Sequence, residues 1–376
     1  MFDLLSTTNH EVHHAHEKRS TSSARRTPPV PERHADVMSS VASLVARAPA
    51  FCAAPRRARR ASASSRRAFV PAASSEDANG AVPDPAPSAS SPAPSAAPVV
   101  VFGANGKTGK RCVAYAAKTG RPVVACTRAG AFSAADAGVS SADASLVTSK
   151  PGDVSKATPA ELAALLQGAG SCIFAASASP SGGSPQDVDK AGLVAVARAC
   201  VAARVPRLVV VSSGSVTKPL SPVYVFLNFF GGIMRAKIEG EDALRALYFD
   251  RDECDYVIVR PGGLTEDEPR GVSAVELNQG DDKSGRISRA DVAAVCVEAA
   301  AAAGTPLASN ATFECYWADT AKSLEAVGLS NMMGGTNQDA DYVSGRERRG
   351  DSWLKIFEGL RPDEPGVAQQ GWGPSL

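Results

Sequence analysis

Beyond residue 34 this 376-residue chain contains no histidine; all five (His10, His13, His14, His16 and His34) lie before that point. The body of the chain therefore excludes a Ser-His-Asp or Cys-His catalytic unit and a histidine-ligated zinc. The cluster His10-x-x-His13-His14-x-His16 has metal-ligand residue types, but it falls in a segment expected to be disordered, so no metal site is expected. The eight cysteines include no CxxC pair. Most sit in apolar runs such as Ala125-Cys126-Thr127 and Ser171-Cys172-Ile173, the pattern of reduced, buried thiols and not of a disulfide frame. No apolar run reaches the length of a membrane span, so no transmembrane segment is expected.

Acidic residues are missing from 38–75, where seven arginines (Arg47, Arg56, Arg57, Arg59, Arg60, Arg66 and Arg67) stand among serine and alanine. An arginine-rich, serine-rich, acid-poor segment has the composition of an organelle transit peptide. Residues 1–73 are read as a disordered targeting region, with 38–73 the most transit-like part and cleavage near 70–73. Met38 has the look of a transit-peptide start, with 1–37 as an upstream extension. A basic tail that binds nucleic acid or a membrane is the alternative. Residues 74–97 are a Pro/Ala/Ser linker without apolar periodicity. Residues 1–75 hold 12 Lys/Arg and 5 Asp/Glu of the chain's 40 and 39, leaving 28 against 34, a net charge near −6, for 76–376. A mildly acidic body argues against a nucleic-acid partner.

The most informative stretch is Val99-Val100-Val101-Phe102-Gly103-Ala104-Asn105-Gly106-Lys107-Thr108-Gly109-Lys110. A β-branched run enters three glycines spaced three apart, and a helix-compatible stretch, 110–118, follows. Glycines let the backbone approach a pyrophosphate, and a helix start offers free N–H groups and a positive dipole end. The spacing is GxxGxxG and not the commoner GxGxxG. Gly103, Asn105, Gly106, Lys107, Thr108 and Gly109 are the turn's candidate cofactor-binding residues.

From residue 98 strand and helix patterns alternate. Strands are expected at 99–102, 122–127, 145–148, 171–175, 207–212, 255–260 and 312–316. Thr158-Pro159-Ala160-Glu161 reads as a capping box opening a helix over 162–167. Helices are also expected over 188–204 and, after Ser288-Arg289-Ala290-Asp291, over 292–303. This alternation predicts an α/β fold with a doubly wound parallel sheet: one domain, 98–318, behind a disordered N-terminal extension. A C-terminal extension, 319–376, carries a short docking helix near 351–360 and a mixed-charge run, 343–349, read as solvated.

At the end of the second strand, where an acid grips the ribose of NAD, the chain has Ala125-Cys126-Thr127-Arg128. An arginine there suits a 2′-phosphate, favouring NADP(H) over NAD(H), with a solvated loop arginine as the alternative. Asp153, in Pro151-Gly152-Asp153-Val154, either accepts from an adenine amino group or caps its turn. Ser212 and Ser213 end strand five, and Arg260-Pro261-Gly262-Gly263 ends strand six, at the edge where ligands bind in such sheets. Ser212, Pro261 and Gly262 join the candidate cofactor-binding residues.

These pieces together resemble the short-chain dehydrogenase/reductase superfamily, most of all its atypical NmrA-like branch and chloroplast NAD(P)-binding relatives. The resemblance covers about 98–318 and rests on Gly103-x-x-Gly106-x-x-Gly109, Gly152-Asp153, Val211-Ser212-Ser213, Arg260-Pro261-Gly262-Gly263 and Ile287-Ser288-Arg289-x-Asp291. It implies a Rossmann fold, a nicotinamide dinucleotide ligand and, with the transit-like segment, a chloroplast location, in the stroma or peripheral to a plastid membrane. Active members carry Tyr-x-x-x-Lys after strand five, with a serine at that strand's end. Here Lys237 matches the lysine, Ser213 the serine, and Ile233 stands at the tyrosine, where it neither donates nor accepts a proton. Ser213 and Lys237 are the candidate catalytic residues. Lys237 either holds the nicotinamide ribose or pairs with Glu241 on the surface; Tyr224 is the nearest phenol. The apolar segment 222–230 either roofs a substrate pocket, meets a membrane or partner, or is a buried connection.

Two readings follow: an NADP-dependent plastid reductase of an apolar carbonyl or quinone, or a noncatalytic NADP(H)-binding redox sensor or scaffold for an unknown partner. An RNA-associated assembly role fits the acidic body less well.

Overall fold

Four-residue runs such as Val99-Val100-Val101-Phe102 have no solvent-facing side, and they form the middle of a sheet covered by helices on both faces. The computed structural model describes residues 97–179, 182–229, 231–324, 342–364 and 369. The targeting region 1–73, the linker up to residue 96, all five histidines and Cys52 lie outside them. The strands are β1 (Val99–Phe102), β2 (Val123–Thr127), β3 (Val147–Pro151), β4 (Ser171–Phe174), β5 (Arg207–Val211), β6 (Asp255–Pro261), β7 (Gly263–Thr265), β8 (Val275–Asn278), β9 (Lys283–Ser284), β10 (Arg286–Ser288), β11 (Ala311–Trp317) and β12 (Lys322–Ser323). The main sheet runs β3-β2-β1-β4-β5-β6-β11-β8. All its pairs are parallel except β11 with β8. The order reverses direction between β1 and β4, the switch point at which a doubly wound sheet binds ligands.

Sequence periodicity missed two features of this sheet. β3 begins at Val147, two residues later than expected, because it is an edge strand whose residues are mostly exposed; its register is set by β2, with Val147 opposite Val123. The antiparallel β8 and the short pairs β7–β10 and β9–β12 carry too few residues for a periodic signal.

The helices are α1 (Gly109–Lys118), α2 (Pro159–Leu166), α3 (Leu193–Ala202), α4 (Pro222–Asn228), α5 (Ile233–Tyr248), α6 (Arg289–Ala301) and α7 (Trp353–Phe357). The capping box at Thr158 forms in full, with Glu161 N–H donating to Thr158 Oγ1 and Thr158 N–H donating to Glu161 Oε2. Ser288 caps α6 by accepting from Asp291 N–H. The helix expected from 188 opens instead as a π-helical turn, Gln186–Gly192. Gly240 of α5 passes so close that a Cβ would lie 2.7 Å from the Asp189 carbonyl. The wider turn carries Asp189 inward, fully buried.

Two expectations are sharpened. Of the alternatives for 222–230, a wholly buried connection is excluded: the segment is α4, capped by Ser221, and it leaves Val225 59%, Phe226 43% and Phe229 88% exposed. A seven-residue helix buries one face only, here Tyr224 against Val216, Met234 and Ile238. The mixed-charge run is exposed over much of its length, as expected, but it is also pinned: Arg346 pairs with Asp282, Glu347 with Lys283, Arg349 with Glu276, and Arg348 bridges to Leu277 of β8. An unpaired sheet edge recruits the passing chain. Just beyond, α7 buries Ile356 and Phe357 in the core beside Phe313. The seven cysteines among the described residues are free and buried.

Candidate functional site

The glycine turn packs on itself and on β4. Gly103 has φ +76°, and a Cβ there would lie 2.6 Å from the Ala176 backbone. A Cβ on Gly109 would lie 2.2 Å from the Gly103 carbonyl. Gly106 differs: its nearest neighbour would be the Gly103 oxygen at 3.0 Å, and its free side faces a cleft. α1 starts directly after the turn, and Thr108 at its N-cap makes no side-chain cap bond. The amides of Lys107 and Thr108 bond to no other group among the described residues. Free amides on a helix dipole at a glycine turn fit a pyrophosphate.

That cleft, about 380 Å³, lies over the carboxyl ends of β1, β2 and β4 and is lined by Gly103, Asn105, Gly106, Arg128, Asp153 and Ser177, among others. Asn105 Nδ2 donates to the Ala131 carbonyl and so pins the loop after β2. The Lys107 side chain is 73% exposed, 3.9 Å from Glu266. Arg128 lies against Gly182 and also lines an adjoining cleft with Lys150 and Lys156. Asp153 accepts from both the amide and the hydroxyl of Ser155. Burial opposes its ionisation, but these bonds, with Lys156 and Arg128 nearby, hold the carboxyl below its usual value. It therefore caps its turn and faces the cleft together. Lys150, Lys156, Ser177 and Gly182 were not singled out from the sequence; Ser177 stands just past a strand end, the only signal that could have found it.

A second cleft, about 290 Å³, lies over the ends of β5 and β6 and against α4. Val223, Leu227, Pro261, Gly262 and Leu264 make it apolar; Ser213, Ser215, Ser284, Arg286 and Arg289 supply its polar groups. No Asp, Glu, His, Cys, Tyr or Lys is among the residues lining it. Ser213 Oγ donates to the Gly214 carbonyl at 3.1 Å. Pro261 and Gly262 form its floor, where a Cβ on Gly262 would strike the Gly285 carbonyl at 2.3 Å. The loop carrying Ser213 is clamped from behind: Asp281 accepts from the amides of Ser215 and Thr217 and from the Thr217 hydroxyl.

Lys237 does not pair with Glu241. Its ammonium lies 2.8 Å from Asp189 Oδ1, and Asp189 also accepts from the Ser177 hydroxyl and the Ala178 amide. The lysine thus reaches the first cleft through Asp189 and Ser177. Ile233 packs beside Tyr224, which faces the small core under α4 and not the second cleft; burial raises its phenol above the usual value.

Ser212 turns away from both clefts and donates to buried Glu241. Glu241 also binds Arg260 at 2.6 Å and Arg245 at 2.9 Å. Burial opposes its ionisation, but the two guanidinium groups overcome that and hold the carboxyl down at about 2. Glu314 lies 3.6 Å from Arg260, whose guanidinium is committed to Glu241; burial and Asp281 push Glu314 up to about 8. Folded Glu314 therefore keeps a proton that the unfolded chain releases above its ordinary value of 4.5. The stabilisation is complete below pH 4.5 and is lost as pH rises to about 8, by up to about 1.4 kcal/mol per pH unit. Chemical denaturation at pH 5, 6.5 and 8 is expected to show wild type losing stability relative to Glu314→Gln across this range. A pH-independent difference would mean that Glu314 stays ionised.

A family model described as NAD(P)H-binding matches residues 103–303. An uncharacterized chloroplastic protein of Arabidopsis thaliana is 34% identical over 209 residues, which is 54% of this chain and 71% of that protein. The chloroplastic protein High Chlorophyll Fluorescence Phenotype 173 of the same plant is 46% identical over 67 residues, 18% of this chain and 10% of that protein. Among solved structures, an oxidoreductase of Lactococcus lactis aligns with TM-score 0.47 and 21% identity over 64% of this chain and 98% of its own.

Proposed function

This chain belongs to the NAD(P)H-binding family, and on that premise we propose that it is a plastid NADP(H)-dependent reductase of an apolar, quinone-class acceptor. The observation that carries the reading is the second cleft, apolar and without a titratable acid among its lining residues. When bound, the dinucleotide supplies a hydride. Reducing an aldehyde or simple ketone leaves a strongly basic alkoxide, which calls for a positioned acid. A quinone yields a resonance-stabilised phenolate that takes its proton from water. Ile233 in place of tyrosine is compatible with the second chemistry and not with the first.

The residues of the glycine turn and of the two clefts divide the binding work. The amides of Lys107 and Thr108 meet the pyrophosphate, and Asp153 faces the adenine side. Ser213, Pro261 and Gly262 shape the site for the nicotinamide end, and Lys237 acts through Asp189 to hold Ser177 and Ala178 in place. Arg128, with Lys150 and Lys156, gathers positive charge at the end of β2, which supports a 2′-phosphate. Arg128→Ala is therefore expected to weaken NADPH about 10- to 100-fold and NADH by less than about threefold in parallel titrations. Equal losses would remove the 2′-phosphate role. The plastid location rests on the arginine-rich leader and the two chloroplastic relatives.

The deciding measurement is NADPH consumption with a panel of quinones and aldehydes. Turnover of quinones alone supports the reductase. Tight NADPH binding without turnover of either class would favour a noncatalytic redox sensor or scaffold. The same acid-free cleft and the engagement of Lys237 by Asp189 support that second reading.

A further inference from the structure

We infer that Arg286 is the electrostatic partner of the negative charge that develops on the acceptor, standing in for the missing proton donor. This rests on the quinone-reductase reading above. Two arginines line the second cleft. Arg289 is already engaged by Glu266 at 2.8 Å. Arg286 has no carboxylate partner among the described residues, although it is half-buried in an apolar wall. A cation in such surroundings loses hydration without compensation until an anion reaches it.

Its backbone is anchored on both sides. Arg286 lies opposite Gly263 in the β7–β10 pair. Its backbone N–H donates to Thr320 Oγ1 at 2.8 Å, and that hydroxyl is itself anchored by donating to the Trp317 carbonyl at 2.8 Å. A Cβ on Gly263 would come to 3.7 Å from Arg286 Cγ, so the glycine leaves the cleft open above the arginine's stem. A guanidinium keeps its protons at any physiological pH, so it stabilises an anion without acting as an acid. That property matches an acceptor whose reduced form is a stabilised phenolate. The quinone takes up a hydride, two electrons and one hydrogen, from bound NADPH, which is oxidised to NADP⁺. The hydroquinone monoanion formed then takes its proton from water.

The test uses full-length wild type, Arg286→Met and Arg286→Lys, each saturated with NADP⁺. They are titrated with 2-hydroxy-1,4-naphthoquinone, ionised at neutral pH, and with neutral 1,4-naphthoquinone. Wild type is expected to bind the anion about 10- to 100-fold more tightly than the neutral ring. Arg286→Met loses that preference and about 100-fold in kcat while its NADPH affinity is unchanged; Arg286→Lys recovers part of both. Retention of the anion preference in Arg286→Met, or a parallel loss of NADPH binding, overturns the assignment. An anion preference that depends on Arg286 in a protein that reduces no quinone leaves the anion site standing and sinks the reductase reading.

Discussion

Gly106→Val is expected to weaken NADPH and NADH alike by more than about 100-fold while the protein stays folded. Three glycines form the turn, but the structure gives them different tasks. Gly103 and Gly109 sit where a Cβ would collide with backbone at 2.6 and 2.2 Å, so a side chain at either position breaks the turn itself. At Gly106 the nearest backbone atom would be 3.0 Å away, and the next, the Ala175 carbonyl, 3.8 Å. A valine there is expected to intrude on the cleft that Gly106 lines and to crowd the neighbouring amides of Lys107 and Thr108. Losing two charge-assisted hydrogen bonds to phosphate removes about 3 kcal/mol or more, which corresponds to about 100-fold in affinity. Fluorescence titration with both dinucleotides, alongside thermal unfolding, reads the two effects separately. Gly109→Val is the contrasting control, expected to lose folding and binding together. Unchanged affinity in a folded Gly106→Val protein would place the pyrophosphate elsewhere.

The second large effect concerns the carboxylate beneath β5 and β6. Glu241 is fully buried, and it receives the Ser212 hydroxyl, Arg260 and Arg245. Glu241→Ala leaves two buried guanidinium groups short of their shared partner. Breaking a buried ion pair from one side costs about 3–5 kcal/mol, on the order of 10 °C in melting temperature for a domain of this size. Glu241→Ala combined with Arg260→Met is expected to recover part of the loss, because one orphaned charge is removed with its partner. The pH dependence has the opposite sense to that of Glu314. A carboxyl held at about 2 contributes its stability above the ordinary value of 4.5 and loses it as pH falls between the two. Thermal scans of wild type and Glu241→Ala from pH 7 down to pH 3 should therefore converge. Curves that stay parallel would show that the folded protein does not hold the Glu241 carboxyl below its ordinary value.

Much of this architecture was legible in the chain. Parallel strands buried on both faces announce themselves as short β-branched runs, and caps such as Thr158 and Ser288 depend only on local spacing. Edge elements were less legible: β3 shifted and β8 was missed, because one exposed face removes the apolar contrast that periodicity reads. The first cleft follows a contiguous motif and was largely readable. Arg286, Ser284 and Asp281 of the second cleft and its support follow no fixed spacing from Ser213 or Pro261, and only folding brings them together.

The sequence by itself determined that no histidine chemistry operates beyond residue 34, that glycines open a strand–turn–helix unit, and that an isoleucine stands where a proton donor is usual. Each depends on residue type at a position. The tertiary structure decided that Lys237 binds Asp189, that Ser212 faces Glu241, and that Arg286 alone of the two cleft arginines lacks a carboxylate among the described residues. Those choices turn on which of several charged side chains reach one another across the sheet, and a distance in space between residues far apart in the chain is written only in the packed fold.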